Sequence, residues 1–459
     1  MQRSEGEAHG ERLLTKSDVA NNSMTTVTSS VVDQGYAWVV LACCFGVQFI
    51  VGGVAMAGGV FVVEFRDAFG VSPGEASWVT AINTGIAFGC SPVGGILSTY
   101  FGHRWVILVG GLLTSLGLLL SAWAQTTFHL CLTYGLIAGG GIALQYSPSV
   151  SIVGLYFKER TALALGLTVS GTALGPLLSP LFLRYFIDLF TWRGALIAGA
   201  GIALHVCVLA ALMFPQELFE SSPARRQKLK LTRQDSTWRE ITSIDILKDP
   251  CFHLQFVNNL MWCIGVSPLW MLLPDYAIES GMTRAQSSLL ISFTSLGNSI
   301  GRVLIAFLMN RFLNLNRFHA HNIAAIFGGV LMVIYSLTTS FVAFSSASLT
   351  IGLLFGLMVG SLPVVTTELY GADLLTNAFS YLMIADGLGF LVGPPISGEL
   401  YKASSNYAIP FYFNAVIYSL SGVLLYFVLV IKREKQDPVL QLNVAENGDI
   451  VKLKTVDAA

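Results

Sequence analysis

Between Tyr36 and Ile431 the chain passes again and again through runs of about twenty almost wholly apolar residues, and about twelve such runs follow one another. At 1.5 Å of rise per residue, a helix of that length crosses a hydrocarbon core of about 30 Å. The spans read as 36–63, 78–100, 105–124, 128–155, 162–187 and 195–213, then 252–276, 285–309, 319–339, 342–367, 377–398 and 409–431. Composition agrees, because 54% hydrophobic residues against 12% charged would leave a soluble protein short of polar surface. A bilayer is the missing solvent. The expected fold is therefore an all-α integral membrane protein of twelve transmembrane helices. A net charge of -1 gives no basic field for nucleic acid.

Between the sixth and seventh spans lies 215–250, which carries Pro223-Ala224-Arg225-Arg226 and five further basic residues with little apolar continuity. It reads as a linker with a short surface helix near 236–247. The chain then divides into a tail (1–35), a six-helix lobe (36–214), the linker (215–250), a second six-helix lobe (251–431) and a tail (432–459). An internal echo supports two pseudo-symmetric lobes. Gly94-Gly95-Ile96-Leu97 leads through Phe101-Gly102-His103-Arg104 into a turn, and 207 residues on, Gly301-Arg302-Val303-Leu304 leads through Met309-Asn310-Arg311 into its counterpart.

Of the 26 lysines and arginines, 20 fall on the face holding both tails and the linker, and five on the other. Positive charge is retained on the cytoplasmic side, so both termini are expected there, in the plasma membrane. Residues 1–33 hold no apolar core, which excludes a cleavable secretory signal and leaves insertion to the first span. The seven cysteines sit in or beside apolar runs without a CxxC pair and read as small buried hydrophobes. Glycines at small-xxx-small spacing, Gly135 with Gly139 and Gly171 with Gly175, suit close helix contacts in lipid.

The remaining basic residue, Arg302, lies in the eighth span, where a charged side chain costs roughly 2.5–3.5 kcal/mol on insertion scales. Its planar fork of donors suits a carboxylate substrate. The alternatives are snorkelling to the interface or a permanent pair with a carboxylate on another helix. Asp386, near the middle of the eleventh span, is the candidate partner. It is read either as a group that changes protonation when an anion reaches Arg302, or as one held permanently by Arg302 or by helix backbone. Asn298 lies one turn before Arg302 on the same helix face. Asn258, Asn259, Gln145 and Tyr146 either face the path or bond between helices, and Asp188, Asp275, Glu279 and Glu399 read as solvated helix ends. No HExxH, Walker loop, GxSxG or metal-spaced Cys/His cluster is present, so neither cofactor nor metal is expected. Two intramembrane ionisable groups are too few for an embedded enzyme.

Two stretches carry a resemblance. Asp33-Gln34-Gly35-Tyr36-Ala37-Trp38-Val39-Val40 and Tyr156-Phe157-Lys158-Glu159-Arg160-Thr161-Ala162-Leu163-Ala164-Leu165-Gly166 are similar to the two signature motifs of the monocarboxylate transporter family. Thr191-Trp192-Arg193-Gly194, Leu375-Thr376-Asn377-Ala378-Phe379 and Val392-Gly393-Pro394-Pro395-Ile396-Ser397-Gly398 resemble further family patterns. The resemblance implies a major facilitator fold, alternating access and a small carboxylate-bearing substrate, with Arg302 where the family's arginine binds the carboxylate. It also brings one candidate partner, a single-span immunoglobulin-type glycoprotein that some members travel with. Proton-coupled members carry an aspartate where this chain has Asn298 and a first-span lysine where it has Met56. The expectation is therefore a facilitated carrier. The alternatives are a symporter coupled through Asp386, or a carrier of a zwitterionic or neutral metabolite such as an amino acid or guanidino compound.

Overall fold

The computed structural model describes residues 35–56, 58–157, 160–214, 244–311 and 317–446. The first half of the chain folds into α1 (Tyr36–Met56), α2 (Gly58–Phe69), α3 (Pro73–Gly89), α4 (Ser91–Phe101), α5 (His103–Ser121) and α6 (Thr127–Leu130). A π-helical stretch, Cys131–Ala138, then joins α6 to α7 (Gly139–Tyr156), and α8 (Thr161–Ala211) follows. After a 3-10 turn, Ile244–Lys248, come α9 (Pro250–Met271), α10 (Leu273–Glu279), α11 (Arg284–Arg311), α12 (Arg317–Met332), α13 (Ile334–Leu337), α14 (Phe341–Ser404) and α15 (Ala408–Glu446). Among the described residues nine helices are long and apolar enough to cross a bilayer, or up to 11 if each of two bent pairs is one span. The surface helix expected near 236–247 falls largely outside the described residues.

Local chemistry starts and bends these helices. Ser72 accepts from the Glu75 amide at 3.2 Å, with Pro73 in the first helical position, and Asp249 caps Cys251 at 3.3 Å ahead of Pro250. α3 meets α4 at 44°, where Pro92 withholds a backbone donor, and α9 meets α10 at 47° between Pro268 and Pro274. α8 is too long to be one crossing, and its backbone leaves the helix at Thr191, with φ 64°. A β-branched residue rarely adopts that conformation. The corner is pinned by Trp192 packed edge-on against Phe65 at 5.4 Å and by Arg193 Nη2 donating to the Ala124 carbonyl at 3.1 Å.

Glycines set the helix contacts. α1 lies along α8, where a Cβ on Gly171 would sit 2.6 Å from the Phe45 carbonyl oxygen. Across the halves α3 packs on α14, with the Gly74 Cβ position 3.3 Å from the Gly398 carbonyl carbon and that of Gly85 3.1 Å from the Gly387 oxygen. α8 packs on α11. Moved along the chain by the 207-residue echo, α3 falls on α11 and the first arm of α8 on the last part of α14, so the two seams are counterparts.

Candidate functional site: an unpaired arginine on the seam

α11 and α14 meet through two glycine rows, Gly297 and Gly301 against Gly352, Gly356 and Gly360. A Cβ on Gly301 would lie 2.9 Å from the Gly356 Cα, and one on Gly356 3.0 Å from the Arg302 amide nitrogen, so only bare backbone fits. With α14 pressed against the backbone of Arg302, the side chain runs to the other half of the chain. Its Nε donates to Asn298 Oδ1 at 3.1 Å and its Nη1 to the Val169 carbonyl of α8 at 3.1 Å. Among the described residues Arg302 has no carboxylate partner, so most of its five N–H donors are left for something else.

Asp386 is 5% exposed and does not pair with Arg302. It accepts from Asn259 Nδ2 at 2.8 Å and from Cys263 Sγ at 3.4 Å, both on α9. The permanent Arg302–Asp386 pair weighed from the sequence does not form, because α9 supplies the aspartate's donors and α8 takes the arginine's. Tyr146 of α7 lies in the field of both charges. Its ring packs edge-on to Phe88 at 5.2 Å, and Phe88 stacks on Phe390 at 5.4 Å, so an aromatic bridge joins the halves beside Asp386. Gln48, fully buried, donates to the Tyr146 carbonyl and to Ser149 Oγ, both at 3.0 Å, and accepts from Thr172 Oγ1 at 2.8 Å. It thereby fixes α1, α7 and α8 around the site. Arg302, Asn298, Asp386, Asn259 and Tyr146 are thus held in one region at the seam by α7, α9, α11 and α14.

Residues 43–383 match the Major Facilitator Superfamily. The human protein named Monocarboxylate transporter 12 is 30% identical over 448 residues, covering 90% of this chain and 86% of that protein. The rat protein named Monocarboxylate transporter 3 is 30% identical over 404 residues, covering 85% of this chain and 79% of that protein. This chain belongs to the monocarboxylate transporter family of the major facilitator superfamily. It is a multi-pass membrane transporter. Asn298, one turn before Arg302, accepts from its Nε and carries no charge to neutralise it.

Other expectations divide. Met56 is half-buried at the end of α1 and packs on the apolar core, with no hydrogen bond to the site. Gln145 donates to Thr114 Oγ1 at 2.7 Å and Asn258 to the Ser421 carbonyl at 2.6 Å, which makes both of them interhelical ties. Reading Asp275 as solvated was wrong. It is fully buried and accepts from Arg66 and Tyr407. Asp188 pairs with Arg184, and Glu279 accepts from Tyr401 Oη at 2.7 Å. Cys90 is exposed rather than buried, because it sits at the α3–α4 bend. Gln48 and the Gly352, Gly356 and Gly360 row were missed. The four-residue glycine spacing in an apolar run was the available signal for the row, and a lone amide in the first span was the signal for Gln48.

Proposed function

We propose that this transporter moves a small carboxylate-bearing metabolite across the plasma membrane by alternating access, as a facilitated carrier. The observation that carries the reading is Arg302, a guanidinium in the eighth span with donors that no carboxylate of the described chain meets. An incoming carboxylate accepts the two-pronged bond, and Val169 and Asn298 hold the fork in place until it arrives. Because Arg302 bonds α8 from α11, a substrate there touches the seam along which the halves rock. Both tails and the linker are cytoplasmic on this reading. The ion pairs from α2 to α10 and α11 then shut the outer end of the path.

The absence of the family's aspartate at Asn298 and of its lysine at Met56 supports facilitation over proton symport. A second reading has its own observation. Among the described residues Asp386, like Arg302, meets no opposite charge, and both act on Tyr146, so a zwitterion would find a carboxylate site and an ammonium site in one region. Counterflow into proteoliposomes of labelled monocarboxylates, amino acids and guanidino compounds at two pH values separates these readings. Exchange of simple monocarboxylates is the expected result, and exchange confined to amino acids transfers the site to the zwitterion.

A further inference from the structure

A cavity of about 270 Å³ lies inside the first half of the chain, away from the seam. Its walls come from α1, α2, α5, the π-helical stretch and both arms of α8, and neither Arg302 nor Asp386 reaches it. The lining is apolar except for two hydroxyls. That of Tyr134 donates to the Val54 carbonyl at 3.3 Å, and that of Ser179 has no partner among the described residues. Such walls offer a carboxylate nothing in exchange for its hydration.

The cavity opens beside Leu178, which is 54% exposed and heads a stripe continued by Leu181 and Tyr185 on the outer surface of α8. Leu178 precedes the Thr191 corner by thirteen residues, roughly 20 Å along the helix at 1.5 Å per residue. The mouth is therefore at hydrocarbon depth, where the medium against it is lipid tails. An empty apolar void forfeits dispersion contacts along its whole wall, and a tail recovers them without first shedding water. We propose that this cavity binds one acyl tail of a bilayer phospholipid, admitted between the two arms of α8. Its deep wall includes Gly53 and Gly175, where α1 and α8 touch, so the tail rests against the helix whose Val169 carbonyl holds Arg302.

Gly199 supplies the test, because a Cβ there meets only Leu118 Cδ1, at 3.9 Å, leaving room for a side chain inside the cavity. The full chain is reconstituted in phosphatidylcholine containing a small fraction of a phosphatidylcholine with a diazirine on its tail, irradiated, and mapped by peptide mass spectrometry. Adducts on 175–183 and 195–202 are expected. Gly199→Leu should lower them by about fivefold or more, since a filled cavity leaves the tail no volume, with adducts at lipid-facing Val416 and Val330 unchanged. Leu178→Trp, which narrows the mouth from the outside, should do the same should Gly199→Leu fail to fold. Equal labelling of wild type and both variants means ordinary surrounding lipid and overturns the site. Labelling by a photoactivatable sterol in preference to the tail probe overturns the occupant.

Discussion

The arginines of the charged rim and the arginine of the seam are treated oppositely by the same chain. At the rim, Arg184 pairs with Glu64 at 3.0 Å, Arg284 with Glu64 at 2.7 Å and with Asp67 at 2.5 Å, and Arg66 with Asp67 at 3.0 Å and with buried Asp275. At the seam, Arg302 has a carbonyl and an amide oxygen and, among the described residues, no carboxylate. Solvent reaches part of the rim, where the Arg284 side chain is 44% exposed, while Asp275 there is fully buried and paired. Deep in the membrane an unpaired guanidinium is expensive. Among the described residues the rim arginines thus have counter-charges, whether exposed or buried, and Arg302 has none. That pattern marks the rim as a fastening between halves and Arg302 as a group kept for an anion from outside the chain.

Removing the seam charge is expected to have the largest effect. Charge-assisted hydrogen bonds are worth about 1.5–3 kcal/mol, so Arg302→Ala should cut carboxylate uptake by roughly 10- to 150-fold while detergent-extracted protein stays monodisperse. Arg302→Lys should recover little, because an ammonium lacks the planar fork. Initial uptake rates in proteoliposomes decide it, and a wild-type rate in Arg302→Ala removes the anion from the seam.

At the rim the largest change is expected from Asp275→Ala, which strips both the Tyr407 hydroxyl and Arg66 of their shared acceptor. Breaking a buried pair costs up to about 3–5 kcal/mol, but Arg66 is 27% exposed and relaxes into water, so a loss near the bottom of that range is expected. A lower melting temperature of the purified protein, with substrate affinity unchanged, is the expected result. A loss of affinity equal to that of Arg302→Ala would mean that the rim and the seam are one site.

Arg284→Ala should do less. Its own side chain is 44% exposed and Glu64 keeps Arg184 as a second partner, and pairs open to solvent are worth about 0–1 kcal/mol and weaken with salt. The readout is the maleimide labelling rate of a cysteine placed at Ser287, which is 2% exposed beneath the rim, in a background without the native cysteines. The rate should rise in Arg284→Ala, and in the parent protein it should rise with ionic strength. A salt-independent rate would mean that apolar packing closes the rim.

Much of this contrast was legible in the sequence. Charge inside a long apolar run is conspicuous, so Arg302 and Asp386 stand out unaided, and the loop distribution of lysine and arginine sorts the rest. Partnership was not legible. Whether Asp386 meets Arg302 or Asn259 depends on which helices adjoin, and apolar spans in lipid carry little pattern that tells one neighbour from another. Asp275 shows the same limit, since a carboxylate near a helix end reads as solvated until Arg66, 209 residues away, is folded against it. The break in α8 was legible as the gap between the spans 162–187 and 195–213, but the residue that turns the chain was not, because Thr191 is a β-branched one that seldom takes that conformation.

The smallest effect is expected from Asp386→Asn, and the facilitated reading rests on its being small. Asp386 is held by an amide and a thiol of α9 and forms no ion pair with Arg302, so losing its charge removes no partner from the arginine. An asparagine keeps an acceptor oxygen for Asn259 and has nearly the same volume. Uptake should therefore change by less than about threefold, the scale of one modest hydrogen bond. Between pH of about 5.5 and 8, which brackets the titration of perturbed carboxylates, wild type and variant should show the same flat profile. A carrier that binds a proton with its substrate behaves otherwise, since each ligand then raises the affinity for the other and uptake climbs as external pH falls. Should wild-type uptake climb in that way, with interior acidification, and Asp386→Asn flatten it while sparing exchange, the proton resides on Asp386. The seam would then hold two working charges.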